Sequence, residues 1–282
     1  MAATPMPPPP NPANVQGMVL RGYTHPYSCH MLFTFTGLPG AAAFIGALLP
    51  FVQSAQDWGA NKPARMLNIS LTYNGIRTFA PELKGQFPNT FELGPSSVGS
   101  QQSLQDTGLS DPKLWWGGQD NGAIHCIVHS YGMTADALAG LVAAVSQSAA
   151  TNGVTEFHPF QSGSGRLEEY APLHDFIHFG YHDGIDNPAL GWPTDPSLTD
   201  PADANNFVIG YPGSAVEPGP LSGPAGQFAK DGCYNAFRVL YQDVGAFDQF
   251  LTKYAPTVVA AIGGSLDNAR EMAGGQIGRP LA

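Results

Sequence analysis

Apolar and polar residues alternate sharply over residues 27–37, the stretch YSCHMLFTFTG, although Leu32 is an apolar residue on the polar side. Because strand side chains point alternately to opposite faces, this stretch predicts a β-strand with one apolar face. That face comprises Cys29, Met31, Phe33 and Phe35. The following stretch AAAFIGALLPFV places Phe44, Leu48 and Val52 at the spacing of one helix face. The pattern therefore predicts a strand followed by a helix.

Three further stretches alternate, and a second helical pattern lies between the last two. The strands are predicted at 67–75, 123–132 and 154–163, and the helix ADALAGLVAAVSQ at 135–147. The order βαββαβ is typical of a ferredoxin-like fold, in which two helices cover one face of an antiparallel sheet. In that topology the first and third strands are neighbours at the centre of the sheet.

The sheet face turned away from the helices is predicted to be polar and rich in histidine. It carries His30, Thr34, Asn68, Ser70, Thr72, His125 and His129. A face of this kind is either solvated or forms a site that the rest of the chain covers.

Strand-like stretches recur in NFVIGY (206–211) and GCYNAFRVLYQ (232–242), and a helical pattern follows the second. The predicted fold class is α+β: a ferredoxin-like βαββαβ antiparallel sheet with helices on one face, followed by a partial second ferredoxin-like unit. The predicted domains are a proline-rich leader at 1–26 and a ferredoxin-like domain at 27–170. The third, at 171–282, holds a G-x-x-D-G segment with the incomplete second unit packed on it.

The charge balance excludes some partners. A net charge of -10 with only 12 Lys and Arg residues leaves no basic stripe for phosphates, so we expect no nucleic-acid partner. We also expect no membrane association, because no long apolar run occurs and an anionic surface would repel the chain. The start MAATPMPPPPNPANVQG resembles no signal peptide, which predicts a cytoplasmic protein. The three cysteines are too scattered to predict a disulfide framework.

Histidines are the strongest chemical signal in the sequence. The segment HDFIHFGYHDG (174–184) carries three at intervals of four, and two more lie in the third predicted strand. Imidazoles bind first-row metals and leave coordination positions open for O2 or substrate, so a non-haem Fe or Mn site is predicted. Its ligands would come from His125, His129, His174, His178 and His182. Structural hydrogen-bonding roles remain the alternative for each of them.

Five stretches resemble, in order, the blocks of dye-decolourising peroxidases. They are ANVQGMVLRGY (13–23), FPNTFELG (87–94), LQDTGLSDPKLWWGG (104–118), HFGYHDGIDNP (178–188) and GCYNAFRVLYQDVGAFDQFL (232–251). The resemblance implies two ferredoxin-like domains with haem b held in the second. The most specific block is G-Y-H-D-G at 180–184, which implies that Asp183 is the distal acid that handles peroxide protons.

The family's haem-ligating histidine and distal arginine lie beyond its GRPL-like block, and no histidine follows His182 in this sequence. We therefore predict a haem-independent dioxygenase that uses O2 to cleave the side-chain double bond of small phenolic aromatics to aldehydes. This substrate rests on a weaker resemblance to coenzyme-free aromatic dioxygenases. Tyr181 or Asp183 would deprotonate the phenol. The alternatives are a haem-dependent peroxidase and a non-catalytic relic or assembly partner, and the chain is a possible homo-oligomer.

Overall fold

The computed structural model describes residues 10–19, 23–56, 58, 61–115, 121–160, 163–172, 176–182, 190, 203–211 and 221–276. The chain divides into two compact units, each built from separate stretches of sequence. The first unit comprises 1–23, 27–169 and 189–235, and the second comprises 24–26, 170–188 and 236–282. The domain limits expected from the sequence stay a prediction.

A five-stranded sheet organises the described part of the chain. Its strands are β1 (Tyr27–Thr34), β2 (Arg65–Leu71), β3 (Cys126–Gly132), β4 (Thr155–Phe157) and β5 (Leu167–Tyr170). The strand order is β2-β3-β1-β4, with β5 also paired to β1, and β1 is antiparallel to β3 and β4. The first and third strands are therefore central neighbours, and the predicted α+β, ferredoxin-like fold class is confirmed.

Eight α-helices lie within the described residues. They are α1 (Leu38–Leu48), α2 (Tyr73–Phe79), α3 (Asn89–Leu93), α4 (Val98–Leu104), α5 (Ala135–Thr151), α6 (Gly223–Phe228), α7 (Val244–Ile262) and α8 (Leu266–Gln276). The predicted helices correspond to α1 and α5. Among these helices, none is long and apolar enough to cross a membrane.

The main core lies between one face of the sheet and the helices α1 and α5. Buried members of this core are Cys29, Met31, Phe33, Leu67, Cys126 and Val128 from the strands, with Phe44, Leu48, Leu141 and Val145 from the helices. The alternating residues of the strands therefore point their apolar side chains to the helices, as the pattern predicted. Their polar neighbours face the other way.

The predicted strand at 67–75 is too long. The strand β2 ends at Leu71, and the helix α2 begins two residues later. The hydroxyl oxygen of Thr72 accepts a hydrogen bond from the backbone N–H of Gly75 at 3.1 Å, which caps this helix. A polar residue that alternates correctly in a strand thus serves here as a helix cap.

The strands predicted at 206–211 and 232–242 are wrong. Residues Ala204–Asn206 form a 3-10 helix, the rest of the first stretch forms turns, and 232–243 contains no strand in the part of the chain described. The physical reason is that a strand is stable only when it pairs with another. In the described residues, two backbone hydrogen bonds join Ile209 to Asp231 and Gly232, which is too short a pairing to form a strand in either stretch.

Candidate functional site

A pair of histidines lies on the sheet face turned away from the helices. The register of β1 and β3 places His30 directly opposite His129. Their Nδ1 atoms are 3.0 Å apart, within hydrogen-bond distance. On its other side, the Nε2 atom of His129 lies 3.0 Å from the hydroxyl oxygen of Ser70 in β2. His129 is only 1% exposed, so both of its ring nitrogens are used within the protein.

Asn235 fixes the direction of these hydrogen bonds. Its amide nitrogen donates to the Ser70 oxygen at 2.9 Å and lies 3.2 Å from Nε2 of His129. An amide NH2 group only donates, so Nε2 of His129 is the acceptor. The proton of a neutral His129 is then on Nδ1, which donates to Nδ1 of His30. The Ser70 hydroxyl, at 3.0 Å, shares the single lone pair of Nε2 with the more distant Asn235 amide. This tautomer is assigned from the network.

Burial keeps both imidazoles neutral. Desolvation lowers the pKa of His30 to about 4, and the carboxylate of Glu169 partly opposes this shift. Desolvation, together with the neighbouring His30, lowers the pKa of His129 to about 3. At neutral pH the pair therefore exists as two uncharged rings that share one Nδ1 proton.

Aromatic residues surround the histidine pair on this face. The ring of Tyr131 lies edge-on to His30 at 5.8 Å, and the ring of Tyr23 lies edge-on to Tyr131 at 5.0 Å. Burial, helped by the charge of Glu169, raises the pKa of Tyr131 to about 12, so its hydroxyl stays protonated. The protein therefore encloses His129, whereas Ser70 and Asn235 beside it remain accessible to solvent.

The described part of the histidine-rich segment, residues 176–182, is neither an extended strand nor a helix. It forms a tight turn in which the N–H of Ile177 donates to the carbonyl of Tyr181 at 2.9 Å. Gly180 adopts φ 85°, a left-handed conformation that favours glycine. His178 is exposed on this turn, and the ring of His182 stacks on Phe176 at 4.3 Å.

Tyr181 is buried in the second unit beside a small cavity. Its hydroxyl donates to the backbone carbonyl of Arg270 at 3.0 Å, and burial raises its pKa. The cavity has a volume of about 200 Å³. It is lined by Phe179, Gly180, Tyr181, Val244, Phe247, Asp248, Leu251 and Arg270. The residues before Asp183 thus help to enclose a small space of mixed polar and apolar lining.

The structure does not assemble the predicted metal ligands from the residues that it describes. The Nδ1 atom of His125 accepts a hydrogen bond from the backbone N–H of Phe35 at 3.0 Å, and burial lowers the pKa of His125. His174 and Asp183 lie outside the described residues. Within the described ranges, no group of three or more His, Cys, Asp or Glu residues is arranged to hold a metal ion. The five-histidine site therefore stays a prediction.

Sequence reasoning placed His30 and Ser70 on the polar face but gave neither a chemical role. Alternation along β1 and β2 is sufficient to put both on the same face as His129. Asn235 was missed altogether. It lies 165 residues after Ser70, in a stretch without regular structure, so no periodic pattern signals its position.

No family model matches the chain. It is 28% identical over 280 residues to the dye-decolorizing peroxidase of Mycena epipterygia, a match that covers 95% of this chain and 49% of that protein. Among solved structures, it resembles a dye-decolorizing peroxidase whose haem pocket was engineered for asymmetric sulfoxidation. That likeness has a TM-score of 0.71 at 22% identity and covers 94% of this chain and 55% of the other. The structure of a dye-decolorizing peroxidase in complex with 2,6-dimethoxyphenol matches with a TM-score of 0.63 at 19% identity. This match covers 86% of this chain and 53% of the other.

These matches confirm the resemblance to dye-decolorizing peroxidases that the sequence motifs indicated. The chain spans about half the length of the curated relatives it matches. The prediction of a haem-independent dioxygenase is wrong, because these relatives are peroxidases and one is described by its haem pocket. That prediction rested on the absence of histidines after His182. Since the matched relatives are about twice as long, this absence does not bear on the cofactor.

Proposed function

We propose that this chain is part of a haem-dependent peroxidase of the dye-decolorizing type. The observation that carries the proposal is the match to a curated dye-decolorizing peroxidase over 95% of the chain. The ferredoxin-like sheet, with its central β1 and β3, supports it, because solved members of that group share this fold. Non-haem iron or manganese has no comparable support. A cytoplasmic location remains part of the proposal only.

We assign the proton chemistry to Asp183, on the strength of the G-Y-H-D-G motif. A carboxylate at this position would accept a proton from peroxide and return it to the leaving oxygen. Tyr181 precedes it by two residues and has its hydroxyl bonded to a backbone carbonyl, so we give it the role of holding the turn. The proposed substrates are small phenols, the class to which 2,6-dimethoxyphenol belongs.

The described residues do not form a haem site by themselves. His30 and His129 are bonded to each other, and the 200 Å³ cavity beside Tyr181 is lined by no histidine. That cavity is also smaller than the roughly 300 Å³ at which ligand pockets begin. The proposal therefore requires a haem ligand from outside the described ranges or from a second subunit.

The proposal is tested with the full chain, supplied with haemin and hydrogen peroxide. We expect a Soret band and peroxide-dependent oxidation of 2,6-dimethoxyphenol, followed by absorbance. The variant Asp183→Asn should keep the Soret band and lose activity by about 100-fold, because general acid–base groups contribute this much or more.

The matched control is Asp267→Asn, which removes an exposed carboxylate from the first turn of α8. It should leave oxidation unchanged. Haem-loaded protein without any peroxide-dependent oxidation would contradict the peroxidase proposal. An unimpaired Asp183→Asn variant would instead remove Asp183 from its assigned role.

A further inference from the structure

We propose that Ser70, His129 and His30 form a nucleophilic relay, and that Ser70 reacts with small activated esters. This activity is independent of haem and peroxide. The three side chains have the arrangement of a nucleophile, its general base and a group that orients the base. Nothing in the peroxidase proposal uses them.

The distances fit this relay. The Ser70 oxygen lies 3.0 Å from Nε2 of His129, and Nδ1 of His129 lies 3.0 Å from Nδ1 of His30. Both distances are within the roughly 2.6–3.2 Å at which a nucleophile and its base are coupled. The tautomer imposed by Asn235 also fits, because Nε2 of His129 is unprotonated and faces the hydroxyl.

The second histidine occupies the position of the orienting group. A neutral Nδ1 of His30 accepts the Nδ1 proton of His129 and so holds that ring with Nε2 towards Ser70. When His129 gains a second proton during the reaction, this same hydrogen bond stabilises the imidazolium. His30 is therefore a positioning residue that acts through His129.

The reaction transfers the acyl group of the ester to Ser70 and then to water. The Ser70 oxygen forms a bond to the ester carbonyl carbon while its proton moves to Nε2 of His129. The bond from the carbonyl carbon to the aryl oxygen breaks, and the phenolate leaves with its electron pair. His129 then releases its proton to the phenolate or to solvent. In the second half of the reaction His129 takes a proton from the attacking water, the acyl–Ser70 bond breaks as that proton passes to the Ser70 oxygen, and the acid leaves.

The exposure of the site and the basicity of His129 limit the substrate class. The Asn235 side chain is exposed, and its amide donates to the Ser70 oxygen, which stabilises negative charge on that oxygen as its proton leaves. Because Ser70 is half-buried, we restrict the proposal to small acyl groups. Burial makes His129 a weak base, which restricts the reaction to esters with good leaving groups.

The test uses the full chain without haem or peroxide, so its result is independent of the peroxidase proposal. The probes are p-nitrophenyl acetate and a small alkyl fluorophosphonate. We expect the fluorophosphonate to label one residue, identified as Ser70 by peptide mass spectrometry. The variant Ser70→Ala should abolish labelling and lower ester hydrolysis by about 100-fold. Its control is Ser28→Ala, a buried serine of β1.

Two variants of His30 distinguish a role in orienting His129 from a role in packing alone. The change His30→Asn offers His129 an acceptor oxygen and should retain labelling. The change His30→Leu has no acceptor and should slow labelling about tenfold or more, with the thermal unfolding midpoint recorded for both. Absence of label at Ser70 in the folded wild-type chain, or equal labelling of both His30 variants, would overturn the relay.

Discussion

The histidine pair makes the stability of the protein depend on pH. His30 and His129 are neutral in the fold, with pKa values of about 4 and about 3, whereas the ordinary histidine value is 6.5. Between these values the unfolded chain binds protons that the folded chain does not. The stabilisation is therefore complete above pH 6.5 and is lost as the pH falls towards 4 and 3.

We predict that the free energy of unfolding falls by on the order of 6 kcal/mol between pH 7 and pH 4, with about 3 kcal/mol from each histidine of the pair. Urea unfolding at a series of pH values measures it. The variant His129→Asn should flatten the slope across pH 6.5 to 4. Ser28→Ala, which changes a buried residue of β1 that does not titrate, should keep the wild-type slope. An unchanged slope in His129→Asn would show that other groups control acid unfolding.

At the scale of elements, the helix α2 depends on a glycine that no periodic pattern reveals. A Cβ atom at Gly75 would overlap the backbone carbonyl of His125, at the start of β3. Gly99 in α4 has nothing within 4 Å of such an atom. The two helices therefore offer a matched pair of glycine substitutions.

We predict that Gly75→Ala destabilises the protein by about 1–3 kcal/mol, since overpacking forces the backbone to shift. Gly99→Ala should be neutral or stabilising by up to about 1 kcal/mol, because alanine favours a helix. Thermal and urea unfolding of both variants measure these changes in stability. Equal stability of the two would contradict the close approach of α2 to His125.

The pattern of apolar and polar residues predicted the longer strands and helices but not the short helices. Strands β1, β2 and β3 and helices α1 and α5 were predicted because burial on one face imposes a period of 2 or 3.6 on the sequence. The short helices of 73–104 escaped prediction, since they are too short to establish a period. The stretch 232–242 has a strand pattern but no strand, because pairing depends on a partner that the pattern cannot specify.

At the scale of the whole molecule, the second unit exposes several large apolar side chains. Tyr241 is 90% exposed and Leu240 is 68% exposed. Phe250 and Tyr254 on α7 are also exposed. Apolar surface of this kind marks interaction sites in soluble proteins. The homo-oligomer named in the sequence analysis stays a prediction, and this surface is where we test it.

Sedimentation velocity over a range of concentrations tests this expectation. Wild-type protein should show a dimer that dissociates on dilution, and the double variant Leu240→Lys, Tyr241→Lys should be monomeric. Leu109→Lys is the control, because Leu109 is 95% exposed but belongs to the first unit. A wild-type chain that stays monomeric at every concentration would refute the expectation.

The sequence by itself determined the ferredoxin-like sheet, its apolar and polar faces, and the resemblance to dye-decolorizing peroxidases. These properties are local, because side-chain alternation and short motifs can be recognised within about ten residues. Only the tertiary structure decided that His129 contacts Ser70 and Asn235, which are 59 and 106 residues away in sequence. Contacts between distant residues, and the burial that keeps the histidines neutral, arise from packing, which no local period encodes.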